Sequence, residues 1–355
     1  MRVSTSMIFN SGTNGMQNRQ YDLYKIQNQL STGRKILSPE DDPIGASEVL
    51  QVSQSKGVNT QYLDNQANAQ SQLTFVESTI GSVGDALLRI TELAKEGENT
   101  TLGPAERGMI ASELKGIQQN LIGLANTQDG TGQYIFAGYQ STTKPFEANP
   151  DTDPVAGYLL GDDTTTFVKY KGDAGKPTLS VTSSNDMAVS ENGLDVFMKV
   201  KDASGNLTGR SLFDTVQNLI NNMDGSLTYD PLKQAQALTE VSSAGTHIST
   251  IRASVGARQN SLDSLTSTGQ DVALQYDTRL GDLQGLDYTA AISQYASFKM
   301  QLEAAQLSFK QTSQLSLFNI LSKFLSCWLR VVCFWPVVVL RPKQRRRLFQ
   351  TRRFN

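Results

Sequence analysis

Cysteine is absent until Cys327, and the only other one, Cys333, follows close behind. A body without thiols is not stapled by disulfides, does not carry a cysteine metal cluster and is not a thiol enzyme. Histidine occurs once, as His247, which excludes a multi-histidine metal centre. No nucleophile or carboxylate motif accompanies His247, so it reads as a plain residue on a helix surface. Aromatic residues are scarce at 8%, both tryptophans (Trp328 and Trp335) sit near the C-terminus, and only 38% of the 355 residues are hydrophobic. This composition argues against one large globular core and suits elongated, solvent-facing helices. Acidic residues are missing after Phe324, where eight of the 32 Lys and Arg fall. Residues 1–323 therefore hold 24 basic against 34 acidic groups, a net of −10. An acidic body is a poor partner for nucleic acid. The N-terminus lacks a basic start followed by an apolar stretch and a cleavage site, which taken alone reads as cytoplasmic.

Helical periodicity dominates what is present. Met16, Leu23, Ile26 and Leu30 share one helix face, interrupted by Arg19. Residues 1–15 contain Gly12 and Gly15 among Ser, Thr and Asn, and are expected to fray in an isolated chain. Leu73, Val76, Ile80, Val83, Leu87, Ile90 and Ala94 follow alternating spacings of three and four, a heptad seam. After a break at Gly97 to Pro104 the rhythm resumes at Ile110, Leu114, Ile117, Leu121 and Leu124, which predicts an antiparallel hairpin. Between residues 134 and 210 the period changes: YIFAG, TTFVKYKG, PTLSVTS and LDVFMKV read as short strands between turns. The glycines there lack Walker spacing, since Lys176 precedes Pro177. Helical rhythm returns at Leu212, Val216 and Leu219, then from Leu232 through Leu238, Val241, Ile248, Val255, Leu262 and Leu265, a segment able to lie against the first hairpin. Tyr288, Ala291, Tyr295, Phe298, Leu302, Ala305, Phe309 and Thr312 form a last unbroken seam, whose natural partner is the Met16 to Leu30 stripe.

The stretch QLSTGRKILSPEDDPIGAS, residues 29–47, organises the N-terminal end. Gly33 stops the first helix, and Pro39 and Pro43, with Asp41 and Asp42 before the latter, offer two nested helix starts. Glu40, Asp41 and Asp42 read as caps rather than cation ligands. Gly33, Pro39, Asp41, Asp42 and Pro43 thus form a hinge. Asp129 and the Asp162-Asp163 pair are turn formers, and Asn206-Leu207-Thr208 is a sequon with meaning only in a suitable secretory pathway.

The string from Leu30 to Ala46 closely resembles the N-terminal signature of the flagellin superfamily, with Glu40 where many members carry serine. Within it, the opening MRVSTSMIF, the stretch NTQDGTGQYIFAGYQSTTKPF (Asn126 to Phe146) and the ending SQLSLFN (Ser313 to Asn319) resemble the hook-associated protein 3 family. The resemblance spans Met1 to about Asn319, weakly in the middle. It implies a mainly α fold: an elongated, flagellin-like helical coiled-coil rod built from the N- and C-terminal segments, with a small β-rich outer domain inserted. The segments expected are an N-terminal assembly helix and hinge (1–46), two rod portions (47–133 and 211–285), the insert (134–210) and a C-terminal assembly helix (286–319). Both termini would line an inner layer of helices around a channel.

The same resemblance implies an extracellular structural role at the hook–filament junction of the bacterial flagellum, after export without a cleaved signal peptide. The implied partners are copies of itself, hook-associated protein 1, flagellin and an export chaperone, without nucleic acid, membrane insertion or cofactor. The assembly seam would comprise Met16, Leu23, Ile26, Leu30, Tyr288, Ala291, Tyr295, Phe298, Leu302, Ala305 and Phe309. The alternatives are flagellin itself, the bulk filament subunit, and an enzyme or binding module within 134–210, for which the sequence offers no catalytic constellation. Relatives normally finish just past LSLFN, whereas this chain continues through KFLSCWLRVVCFWPVVVL into an arginine cluster. The run from Phe324 to Leu340 is only 17 residues long, contains Arg330 and Pro336, and is marginal for crossing a bilayer. The abrupt shift in composition reads as an aberrant tail over 320–355, an accident of frame or stop codon rather than an anchor. Its apolar run would promote aggregation.

Overall fold

In the computed structural model, the described residues are 5–149, 166–202, 204–224 and 229–314. The tail at 320–355, the LSLFN segment and the Asp162-Asp163 pair lie outside them. The fold is mainly α, with six long or medium helices and four short strands among those residues. Two compact units emerge, a terminal unit within Met1–Glu48 and Gly281–Asn355 and a central unit within Val49–Leu280.

The central unit is organised by two helices of more than fifty residues, α2 (Pro43–Gly97) and α5 (Pro231–Gln284). Each contributes roughly 75 Å of helix to this unit at 1.5 Å per residue. The heptad seam of α2 is buried from Leu73 to Ala94 without exception. On α5, Val241, Ile248, Val255 and Leu262 are buried in the same core. The two helices run antiparallel, as a series of polar contacts records: Gln234 donates to the Ala94 carbonyl (2.7 Å), Arg252 pairs with Glu77 (2.6 Å) and Asn59 donates to the Gly269 carbonyl (2.8 Å). Leu232 departs from the expected rhythm and is 81% exposed. It sits in the first turn, where Gln234 takes the inward position and uses its amide on the α2 C-terminus. The helix α3 (Pro104–Ala125) starts with proline at its first turn and folds back on α2, with Arg89 reaching Glu113 at 2.6 Å.

Between α3 and α5 lie two antiparallel strand pairs, β1 (Phe146–Ala148) with β2 (Val168–Tyr170), and β3 (Thr178–Thr182) with β4 (Asn185–Ala188). Two of the expected strands are not strands. YIFAG forms turns in which Phe136 is fully buried. LDVFMKV forms a short π-helical turn, Leu194–Met198. The cause lies just upstream: the Asn192 side chain accepts from the Leu194 and Asp195 amides at 2.6 and 3.2 Å, a cap that turns the backbone before β-branched propensity can extend it.

This region shares the core of the central unit. Phe197 lies between Phe136, Phe146 and Phe213, with ring centroids 5.1, 5.2 and 5.7 Å away, and Phe213 belongs to α4 (Leu212–Met223). A capping box of Ser211 and Asp214 starts α4, and Asp214 also accepts from the Phe167 amide at 2.8 Å. Desolvation is the main reason the buried Asp214 carboxyl is shifted above the ordinary carboxylate range. Glu191, almost fully buried, is shared by Lys176 (2.7 Å) and Arg258 of α5, which gives Lys176 a structural partner. His247 corrects the sequence expectation. It is buried rather than a surface residue, and its Nε2–H donates to the Asp195 carbonyl of the π-helical turn at 2.9 Å. Burial pushes its imidazole below the usual value.

Candidate assembly surface

The terminal unit is built on α1 (Thr5–Thr32) and α6 (Tyr288–Gln314), which pack together as an antiparallel pair. At one end the Phe9 and Phe309 rings meet with centroids 5.0 Å apart. At the other, the Tyr288 hydroxyl lies against Gly33. Residues 5–15, expected to fray, are helical here, and Gly12 gives the Phe309 ring its space, since a Cβ would stand 2.9 Å from that ring.

The seam residues named from the sequence divide by burial. Ile26 and Ala291 are buried; Met16, Leu23, Leu30, Tyr295, Phe298, Leu302, Ala305 and Phe309 are half-buried; Tyr288 is 53% exposed. Arg19 faces outward in an ion pair with Asp22, so it leaves the seam without inserting charge into it. Thr312 has no described side-chain surroundings. A second set of apolar side chains stays exposed: Tyr21 and Tyr24 on α1, and Ile292, Met300 and Leu307 on α6. This set was missed because the seam absorbed the periodic signal. The clue lay in Ile292, Met300 and Leu307, spaced eight and seven apart and offset by one or two positions from the seam.

The hinge is more than a link. Gly33 has a φ of +68°, the left-handed conformation that ends α1, and its amide bonds the Gln29 carbonyl at 2.8 Å. The next helix starts at Pro43 and not at Pro39, which lies in a turn. Asp42 caps α2 by accepting from the Gly45 amide at 3.0 Å. Asp41 does different work: its carboxylate accepts from the Leu37 and Ser38 amides at 2.9 and 3.1 Å and pairs with Lys25 at 2.6 Å. The hydrogen bond from Lys25, helped by the Leu37 amide, holds the Asp41 carboxyl below its ordinary range, and the same bond raises the Lys25 ammonium.

A feature with no signal in the sequence joins the hinge to the link between α5 and α6. Arg34 bridges Gly285 as an isolated antiparallel pair, with Lys35 donating to the Gln284 carbonyl (2.7 Å) and Leu286 to the Gly33 carbonyl (3.1 Å). Gln29 adds its amide to the Lys35 carbonyl at 2.7 Å, and Asp287 caps α6 through the Thr289 and Ala290 amides. The two ends of the chain are therefore clamped where α1 leaves and α6 begins.

The bacterial flagellin N-terminal helical region family matches residues 3–141. Flagellar hook-associated protein 3 of Escherichia coli strain K12 is 29% identical over 337 residues, covering 90% of this chain and 99% of that protein. The chain is similar to flagellar hook-associated protein 3 over nearly its whole length. The protein of the same name from Salmonella typhimurium is 27% identical, with the same coverage of both chains. Among solved structures, flagellar hook-associated protein 3 of Legionella pneumophila aligns with a TM-score of 0.57 at 19% identity, over 66% of this chain and 98% of that one. A Xanthomonas campestris relative aligns at 0.51 and 20% identity, over 65% and 99%. At these identities the structures speak for the fold alone. No helix among the described residues is long and apolar enough to cross a membrane.

Proposed function

We propose that this chain is a structural subunit of the bacterial flagellum and acts as an adaptor at the hook–filament junction. The observation that carries this reading is the overlap with Escherichia coli flagellar hook-associated protein 3, which extends over 99% of that protein. In this reading residues 1–46 and 286–319 are the assembly segments, 47–133 and 211–285 the rod, and 134–210 the outward-facing insert. The seam side chains close α1 on α6 within one chain. The exposed set, Tyr21, Tyr24, Ile292, Met300 and Leu307, is what neighbouring subunits cover. Fully burying each such side chain contributes about 1.5–3 kcal/mol, so assembly supplies what the lone chain lacks.

Neighbours of the right kind are copies of this chain around the axis, hook-associated protein 1 on one side and the first flagellin subunits on the other. An export chaperone would shield the C-terminal helix before that, and the chain would leave the cell unfolded through the flagellar channel with no signal peptide removed. A pair of helices stabilised mainly by its neighbours suits a part that must travel unfolded and then lock. The role is structural rather than catalytic.

Flagellin is the second reading, because the family matched over residues 3–141 is the flagellin N-terminal region. Copy number separates the two. Quantitative mass spectrometry of sheared extracellular flagella should find this protein as a trace component beside abundant flagellin. Bulk abundance would assign it to the filament, and absence from flagella would remove both readings. The same spectra report the mass of its C-terminus.

A further inference from the structure

The chain contains two Asn-Gly pairs, Asn14-Gly15 and Asn192-Gly193. In this dipeptide the glycine has no side chain to crowd its backbone nitrogen, which is therefore free to reach the asparagine amide carbon. The two pairs stand in different surroundings. Asn14 is exposed on α1, and nothing lies within 4 Å of where a Gly15 side chain would start. Asn192 is 2% exposed. Its Oδ1 accepts from the Leu194 and Asp195 amides at 2.6 and 3.2 Å, and its Nδ2 donates to the Ala174 carbonyl at 3.1 Å and the Asp195 carboxylate at 3.4 Å. The Gly193 amide donates to the Phe136 carbonyl at 2.9 Å, and a Cβ on Gly193 would stand 2.7 Å from both that oxygen and the Phe146 ring. Both groups of this pair are committed elsewhere.

We propose that Asn192-Gly193 is a self-modification site which folding of the central unit disarms, and whose reaction in the unfolded chain bars that unit from refolding. The Gly193 backbone nitrogen gives up its proton and attacks Asn192 Cγ. The N–Cγ bond forms, the Cγ–Nδ2 bond breaks, and Nδ2 leaves as ammonia with that proton. Water then opens the cyclic imide at either carbonyl, leaving aspartate or isoaspartate at 192. In the folded chain this cyclisation requires the Asn192 side chain to abandon its hydrogen bonds and Gly193 its own, so it waits for local opening of the core. Neither product fits the folded site. Aspartate has no hydrogen to donate, so its oxygen would face the Ala174 carbonyl beside Asp195 and the buried Glu191, whose carboxylate is already taken by Lys176 and Arg258. Isoaspartate adds a methylene to the main chain immediately before Gly193, where the Phe136 carbonyl and the Phe146 ring leave no room. Time spent unfolded is thereby recorded at Asn192, and a marked chain leaves the pool able to fold.

Ageing the full-length chain at mildly alkaline pH, folded and in guanidinium chloride, tests this by peptide mass spectrometry. In denaturant the Asn14 and Asn192 peptides should convert alike, so Asn14 serves as the internal reference. In the folded chain the Asn192 peptide should convert at least about tenfold more slowly than in denaturant. Equal rates in the two conditions would overturn the protection. Chains aged in denaturant are then returned to native buffer, and folded and unfolded molecules are separated by size exclusion. Conversion at Asn192 should be depleted at least about tenfold from the folded fraction, while conversion at Asn14 is the same in both fractions. Equal conversion at Asn192 in both fractions would overturn the bar to refolding, and depletion of both sites together would assign it to general damage. Gly193→Ala, compared with the natural chain only in denaturant so that its clash in the fold does not matter, should slow conversion at Asn192 and leave Asn14 unchanged. An unslowed Asn192 would show that the Gly193 nitrogen is not the attacking group.

Discussion

The terminal and central units spend the same helical periodicity in opposite ways. Apart from Ile26 and Ala291, every buried hydrophobic side chain among the described residues belongs to the central unit. There the heptad seam of α2 meets α5, α3, α4 and the strand region in one continuous core. In the terminal unit an equally regular seam finds a single helical partner, and most of its residues remain half-exposed. Periodicity therefore predicts a helix face, but the number of elements that pack on that face decides whether a stable unit results. The central unit carries its own stability. The terminal unit has its clamp, the Arg19–Asp22 and Lys25–Asp41 ion pairs and, among the described residues, two buried hydrophobic side chains.

The sharpest way to break this contrast is in the central core. Phe213→Ala removes a ring that stacks on Phe197 and touches Phe146, and should cost about 3–5 kcal/mol. Urea denaturation followed by circular dichroism would show a large fall in the main transition. A loss below about 1 kcal/mol would mean that the four-phenylalanine cluster is not the keystone of this unit.

Glycines of α1 give a smaller and more directional effect. Gly15→Ala, with open space around it, should stabilise the helix by about 0.5–1 kcal/mol. Gly12→Ala should lose that gain because its new methyl meets the Phe309 ring. Helicity of the two variants, compared at one concentration, separates them. If both gained equally, the antiparallel register that seats Phe309 on Gly12 would be wrong.

The smallest expected effect concerns pH. Asp41 has a lowered folded pKa, so its contribution is present above the ordinary carboxylate value near 4 and fades as pH falls through the lower folded value. Lys25 has a raised pKa, so its contribution is complete below the ordinary lysine value near 10.4 and is lost as pH rises through the folded value. A partly exposed pair of this kind contributes about 0.5–1 kcal/mol. Exchange of the amides of Leu37 and Ser38, corrected for intrinsic acid dependence, should therefore rise below pH 4 in the natural chain. Asp41→Asn should be fast and flat across the same range. A natural chain with no acid response would assign the turn's order to the backbone pairing alone.

Much of the helical framework was legible beforehand because its signals are local. The α2 seam, the stop at Gly33 and the proline starts depend on residues within one or two turns of each other. The errors have equally local causes or none at all. LDVFMKV has β-forming side chains, but Asn192 outbids them with two backbone hydrogen bonds. His247 is polar and sits on a long helix, yet the π-helical turn, about fifty residues away in sequence, covers it. No residue type announces that Lys35 will donate to Gln284, because a backbone pair leaves no mark on side-chain identity. The exposed set on α1 and α6 was overlooked for another reason: two apolar stripes on one helix look like a single broad one until a partner covers the first.

By itself the sequence determined the mainly helical character of this chain, the positions of its seams, its hinge and the family signature at Leu30 to Ala46, since each is written in short-range spacing. Only the tertiary structure decided that the middle segments share a core with α4, that the two chain ends are clamped through 33–35 and 284–286, and which apolar side chains remain for neighbours. Those outcomes depend on which surfaces meet across hundreds of residues. Local propensity carries no record of such meetings; burial and hydrogen-bond satisfaction decide them once the chain has closed on itself.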